Sequence, residues 1–370
     1  MSEAPPYEPD RVDGVPHPRH TARLLGQEAA EAEVLDAWTR DKVHHAWLLT
    51  GPRGVGKATL AWKIARFLIA APDRGGMFGG PENLDIPDDH PVAARVAALS
   101  DPGLFLMRPT LSPTGTERRD ITVDVARSLR DFLHLSATDG GQRVVIVDSA
   151  DQLNTQAANA LLKLVEEPPA RTTILLISHA PARLLPTIRS RCRVLACKPL
   201  SGLDLTTAIA NAGLEPQIEP AALAQLASGS VGEAARLLQE YGPKLYSELV
   251  ALGRSIPDMD RPRLLALTNG LAGAGGRTKL DTLSRLIDLF LSRLARQGAG
   301  APPEAEATPG EAEVLSHLAP TPAAGRIWAN LAQDVSARIA HGRAVNLDPS
   351  SLVLDTGLKI NETGREILRG

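Results

Sequence analysis

"HHAWLLTGPRGVGKATLAWKIARFLIA", residues 44–70, sets an apolar run, a glycine-rich turn and a second apolar run in that order. Residues 46–50 read as a short buried strand and 58–70 as a helix. Between them, Gly51-Pro52-Arg53-Gly54-Val55-Gly56-Lys57 has the spacing of a phosphate-binding loop, in the strand–loop–helix context that the motif requires. Backbone N–H groups of such a turn converge on one point, and the helix dipole favours an anion there. Lys57 adds a point charge suited to β and γ phosphates. Ala58 stands where the motif places a magnesium-binding hydroxyl, and Thr59 is one helical step, roughly 100°, away from that direction. The loop, with Ala58 and Thr59, is expected to take ATP or ADP without hydrolysing it, with Mg2+ short of one ligand.

Four more apolar runs follow, at 104–107, 144–147, 173–177 and 193–196, each separated from the next by helical or turn chemistry. Near-continuous apolar strands alternating with helices indicate a parallel sheet covered on both faces, an α/β fold. "VVIVDSAD", residues 144–151, ends its strand in Asp148, the acidic position that holds magnesium through water in nucleotide hydrolases. Such enzymes carry a glutamate next, to orient the attacking water; here the residue is Ser149, a poor base. Ala58 and Ser149 remove one metal ligand and the water-orienting carboxylate of the same reaction.

Composition sets the remaining bounds. A chain of 370 residues implies two or three domains, and 43% apolar with 22% charged residues is a globular balance. The net charge of −3 supplies no global basic footprint, so contact with DNA would be local or made through partners. Cys192 and Cys197 cannot form a disulfide framework. No apolar stretch approaches 18 residues and the N-terminus lacks a signal-peptide core, so a cytoplasmic protein without membrane contact is expected.

Residues 1–20 hold five prolines and read as an extended, partly disordered lead-in. The Gly-, Pro- and Asp-rich 71–103 segment reads as a surface insertion. After about residue 200 only helices are expected. Leu280, Leu283, Ile287, Phe290 and Leu294 form one stripe, and Trp328, Leu331, Val335 and Ile339 another. Residues 298–313 between them read as a flexible loop.

The stretch "NTQAANALLKLVEEPPARTTILLISHAPARLLPTIRSRC", residues 154–192, closely resembles bacterial clamp-loader subunits of the AAA+ class, as do "LLGQE" (24–28) and "ITVDVARSL" (121–129). From the residues alone, Asn154 is a good helix N-cap, Ala157, Leu161 and Val165 share one face, and Pro168-Pro169 ends the helix. The resemblance covers about residues 20–200. It implies a RecA-like AAA+ module with a five-stranded parallel sheet at 21–199, a helical lid at 200–249 and an all-α collar at 250–370. It also implies that Arg191 of Ser190-Arg191-Cys192 reaches a neighbouring subunit's ATP site as an arginine finger; a structural ion pair is the competing reading. In the motor subunits of this family the lid carries an arginine toward the γ-phosphate, and Gly232 falls at that position here. Three elements of the chain's own site are altered (Ala58, Ser149 and Gly232) while the finger is retained. That asymmetry resembles the non-hydrolysing, δ′ branch of the family.

What the resemblance implies for partners is a hetero-pentamer with motor and δ subunits, a sliding clamp, and primer–template DNA reached through the complex. The chain would then belong to a polymerase holoenzyme without itself being an ATPase or polymerase. The alternative is an ATP-hydrolysing motor subunit of the τ/γ type. Many relatives carry a four-cysteine zinc module after the phosphate-loop helix, but 71–103 contains no cysteine, so no zinc is expected.

Overall fold

The computed structural model describes residues 8, 11–21, 23–71, 80–112, 114–134, 141–216, 218–273 and 275–369. The chain separates into two compact units. One is built from residues up to 204 with 211–213 and 230–232, the other from 205–210, 214–229 and 233 onward.

The first unit runs α1 (Glu28–Thr39), β1 (Ala46–Thr50), α2 (Lys57–Ala70), α3 (Pro91–Ala97), β2 (Leu104–Met107), α4 (Val123–His134), β3 (Arg143–Val147), α5 (Thr155–Glu166), β4 (Thr172–Ser178), α6 (Pro186–Arg189) and β5 (Arg193–Ala196). The five strands pair in the order β2-β3-β4-β1-β5, every pair parallel, as the alternating pattern requires. Leu48 lies opposite Leu176 on one side and Val194 on the other, and Val145 opposite Phe105 and Ile174. Period-2 alternation sends Ala46, Leu48, Val145, Val147, Ile174 and Leu176 into one core with Leu129 of α4 and Leu161 of α5. Helix α2 covers the sheet elsewhere through buried Leu60, Ile64 and Phe67, and Trp38 of α1 meets Phe67 edge-on at 5.4 Å. Each fully buried aliphatic side chain contributes about 1.5–3 kcal/mol. As an edge strand, β5 departs from the continuous burial expected of it: Leu195 is buried while Arg193, Val194 and Ala196 are exposed. Because all strands are parallel, the loops that leave Thr50, Val147, Ser178 and Ala196 gather at one edge of the sheet.

Two stretches are more ordered than their composition implies. Within 71–103, residues 72–79 lie outside the described residues. The rest is anchored by buried Leu84, Val92 and Val96, and His90 caps α3 by accepting from the Val92 N–H at 3.2 Å. Residues 80–103 are mostly exposed, as a surface insertion requires, with Leu84, Val92 and Val96 as their buried anchors. In the lead-in, residues 1–7, 9 and 10 lie outside the described residues. Residues 18–20 form a 3-10 turn whose Arg19 carbonyl accepts from Arg66 Nη1 at 2.9 Å, while Arg19 itself pairs with Glu8.

The second unit is helical, from α7 (Gly202–Asn211), which starts in the first unit, through α8 (Pro220–Ala227), α9 (Val231–Gln239), α10 (Gly242–Arg254), α11 (Arg261–Leu267), α12 (Gly276–Gly298), α13 (Glu311–Leu318), α14 (Pro322–Ala344) and α15 (Pro349–Arg369). Both stripes are buried in this unit's own core, Leu283, Leu294 and Trp328 completely. A Cβ on Gly298 would lie 2.6 Å from the Gly325 Cα, so α12 and α14 cross at backbone contact there. The expected flexible loop at 298–313 is instead pinned. Glu311 is fully buried, and its carboxylate accepts from the Ala307 N–H at 2.6 Å, from Arg293 Nε at 2.6 Å and Nη2 at 2.9 Å, and from the Tyr246 hydroxyl at 2.5 Å. Polar composition suggested mobility; one buried ion pair overrides it.

Candidate functional site

The glycine-rich loop joins β1 to α2 with Gly51, Gly54 and Gly56 at φ of 140°, 74° and 101°. Gly54 is required twice over, by its positive φ and because a Cβ there would come 2.2 Å from Ser230 Oγ. The segment Ser230–Gly232 lies against the loop, and the Val231 N–H donates to the Gly54 carbonyl at 2.9 Å. Gly232 lies against Gly54, backbone to backbone.

Lys57 is buried, and its ammonium donates to the Gly51 carbonyl at 2.7 Å and to the Pro52 carbonyl. Desolvation lowers its pKa to about 8, opposed by Cys197, Asp148 and Asp151 nearby. The loop's glycines and helix terminus suit a phosphate, which would have to take over the bonds Lys57 makes to its own loop. The donors suit magnesium poorly. Ala58 offers no oxygen, and the Ser149 N–H and hydroxyl both turn to Gln152 Oε1, at 3.4 and 3.3 Å, leaving the Asp148 carboxylate. Thr59 is half-buried on α2.

Three residues the sequence reading did not single out complete this edge. Gln27 is buried and donates through Nε2 to the carbonyls of Val55 (3.0 Å) and Lys198 (2.8 Å), while its Oε1 accepts from the Lys198 N–H at 3.0 Å. It thereby ties the phosphate loop to the exit of β5. Asp151 accepts from Ser178 Oγ at 2.6 Å and from the His179 N–H at 2.5 Å, holding the loop that leaves β4. His179 has its pKa pushed down to about 4 by burial first and then by the Lys57 and Arg53 cations, so it faces the phosphate loop as a neutral imidazole. The available signal for Asp151 and His179 was their position just past strand ends on the edge that carries the loop.

Arg191 stands elsewhere. It precedes β5, at the end of the sheet opposite the phosphate loop, separated from it by the length of a five-residue strand, about 16 Å. Its Nη2 lies 2.9 Å from Glu166 Oε1 and its Nη1 donates to the Thr187 carbonyl at 3.0 Å. The ion-pair alternative is therefore present in the geometry, but both partners are about 40% exposed, so the pair leaves Arg191 at the surface. Arg191, Glu166, His44, His45, Cys192 and Arg193 line an open cavity of about 480 Å3. Arg193 is engaged separately, with Glu33 at 2.7 Å and over the Trp47 ring at 4.9 Å. Cys192 and Cys197 are both unpaired thiols, and burial pushes each up to about 11.

Among the described residues, no group of three or more His, Cys, Asp or Glu side chains is placed to hold a metal ion. No described helix is long and apolar enough to cross a membrane.

The family described as "DNA polymerase III, delta subunit" matches residues 26–201, the stretch that contains both the phosphate loop and Arg191. The "DNA polymerase III subunit delta'" of Yersinia pestis is 33% identical over 75% of this chain and 78% of its own. The chain belongs to the δ′ family of DNA polymerase III subunits. The Escherichia coli member is 31% identical over 78% of this chain and 81% of its own. The Pseudomonas aeruginosa member is 41% identical, over 43% of this chain and 44% of its own length, so this match spans less than half of that relative.

Proposed function

We propose that this chain works as a non-hydrolysing stator in a clamp loader, supplying Arg191 in trans to the ATP site of a neighbouring ATPase subunit. The observation that carries the reading is the division of the first unit into two ends. At one end the chain's own loop holds Lys57 on its carbonyls and lacks a hydroxyl at Ala58 and a carboxylate at Ser149. At the other, Arg191 is presented at the surface beside an open cavity. A guanidinium delivered to a γ-phosphate stabilises the charge of phosphoryl transfer and is worth about 10³–10⁵ in rate at the site it serves. A nucleotide at this chain's own loop would be held by Gly51–Lys57 without turnover.

In this reading the chain joins motor and δ subunits in a hetero-pentamer in the cytoplasm, and the complex opens a sliding clamp for primed DNA. Steady-state ATP hydrolysis by the reconstituted complex, with clamp and DNA, tests it. Arg191→Ala is expected to slow the complex, Lys57→Ala to leave it nearly unchanged, and the isolated chain to be inert. Turnover by the isolated chain that disappears in Lys57→Ala would refute the reading and make the protein a motor.

A further inference from the structure

Resting on that reading of Arg191, we infer that Glu166 is its positioning residue: it holds the guanidinium in the orientation that a neighbour's phosphates meet. Glu166 is the last residue of α5, where the helix dipole disfavours an acid and favours a cation. Helix stability therefore gives no reason for a carboxylate at this position, whereas Arg191 Nη2 at 2.9 Å does. The Thr187 carbonyl, at 3.0 Å from Nη1, fixes the second corner of the same planar group. These two contacts, with the side chain's own attachment through Nε, restrict rotation of the guanidinium plane. One of its five N–H donors is used, at the Thr187 carbonyl, and the rest remain for a ligand, with Nη2 beside the Glu166 charge.

The charges around the cavity are arranged consistently with this. His44 and His45 stack at 4.3 Å, and burial lowers the His45 pKa, which disfavours a cation there. Arg193 is committed to Glu33 and Trp47. Glu166 is thus the carboxylate lining the cavity, and Arg191 is the cation it addresses. An arginine left to rotate loses its rotamer freedom on meeting phosphate. One already held loses less, and the gain appears in kcat rather than in nucleotide affinity. Because the pair is exposed, the hold is modest and a phosphate can compete with it.

The test uses the complete complex and reads the Arg191-dependent rate, defined as the wild-type rate minus that of Arg191→Ala. In Glu166→Ala this rate is expected to fall about two- to fivefold, with KM for ATP unchanged. Fivefold corresponds to about 1 kcal/mol, at about 1.36 kcal/mol per decade. Glu166→Asp, which keeps the carboxylate charge, should recover part of the loss, and Glu166→Gln, which removes the charge, should not. The double variant Glu166→Ala, Arg191→Ala should be no slower than Arg191→Ala alone. The inference is overturned if Arg191→Ala slows the complex while Glu166→Ala matches or exceeds wild type, or if the two losses multiply. If Arg191→Ala has no effect, the finger reading falls first and this inference with it.

Discussion

Replacing Glu311 by alanine tests whether one buried ion pair organises the second unit. The wild-type carboxylate accepts four hydrogen bonds, two of them from Arg293, and both side chains are almost wholly out of water. Without it, Arg293 keeps Gln225 Oε1 at 2.9 Å and the Ala305 carbonyl at 2.8 Å, two neutral acceptors for a full charge. The Tyr246 hydroxyl and the Ala307 N–H lose their partner as well. Burial, the largest cause that holds Tyr246 protonated, remains when the Glu311 charge is gone, so Tyr246 cannot compensate by ionising. Removing one member of a buried pair costs about 3–5 kcal/mol. For a unit of this size, at roughly 2–4 °C per kcal/mol, the expected fall in Tm is roughly 6–20 °C. Because the chain has two units, the loss should be localised: hydrogen exchange should speed up in α10, α12 and α13 and leave the strands of the first unit unchanged. The apolar pair Arg293→Met with Glu311→Leu should restore much of the stability, since it removes both charges together. A loss below about 1 kcal/mol for Glu311→Ala would refute the argument.

The remaining predictions concern the phosphate-loop edge. Lys57 has a folded pKa near 8 against an ordinary 10.5, so the unfolded chain binds the extra proton between those values. Stability should therefore rise as pH increases through that window, on the order of 2 kcal/mol after discounting for the solvent-facing loop, and the rise should be absent in Lys57→Met, as measured by urea unfolding. The His179 imidazole should titrate by NMR near pH 4, and Lys57→Met should raise that midpoint by removing a neighbouring cation; a wild-type midpoint near 6.5 would show that it is solvated.

The sheet was legible in the sequence because parallel strands buried on both faces read as short apolar runs, and all five stand where those runs fall. The edge strand β5 was less so: its apolar composition matched the others, but only neighbours decide burial, and it has one. The stripes of α12 and α14 were equally plain, because a 3.6-residue period survives in any tertiary setting. What composition hid was burial that depends on distant partners. Glu311 looks like one acid in a polar linker until Arg293, 18 residues away, is placed beside it. Gln27, Asp151 and Glu166 are ordinary polar residues whose roles exist only once loops from separate strands converge. In each case the sequence signal would have to be a pair rather than a position.

The retention of Lys57 illustrates the same point for function. Read along the chain, an intact lysine in an otherwise altered loop argues for a retained nucleotide site. In the fold it has local work: the Gly51 and Pro52 carbonyls, turned inward by a glycine at φ 140°, need a donor, and Lys57 supplies it. Losing that donor would remove two hydrogen bonds of the loop, at about 0.5–1.5 kcal/mol each, since Gly51 is half-buried and Pro52 exposed. Such a loop keeps its lysine whether or not phosphate ever arrives, whereas the hydroxyl at position 58 and the carboxylate at 149 serve metal and water, and nothing in the loop's packing depends on them. On the proposed reading, a chain that acts through Arg191 needs the frame of this loop and neither a hydroxyl at position 58 nor a carboxylate at 149.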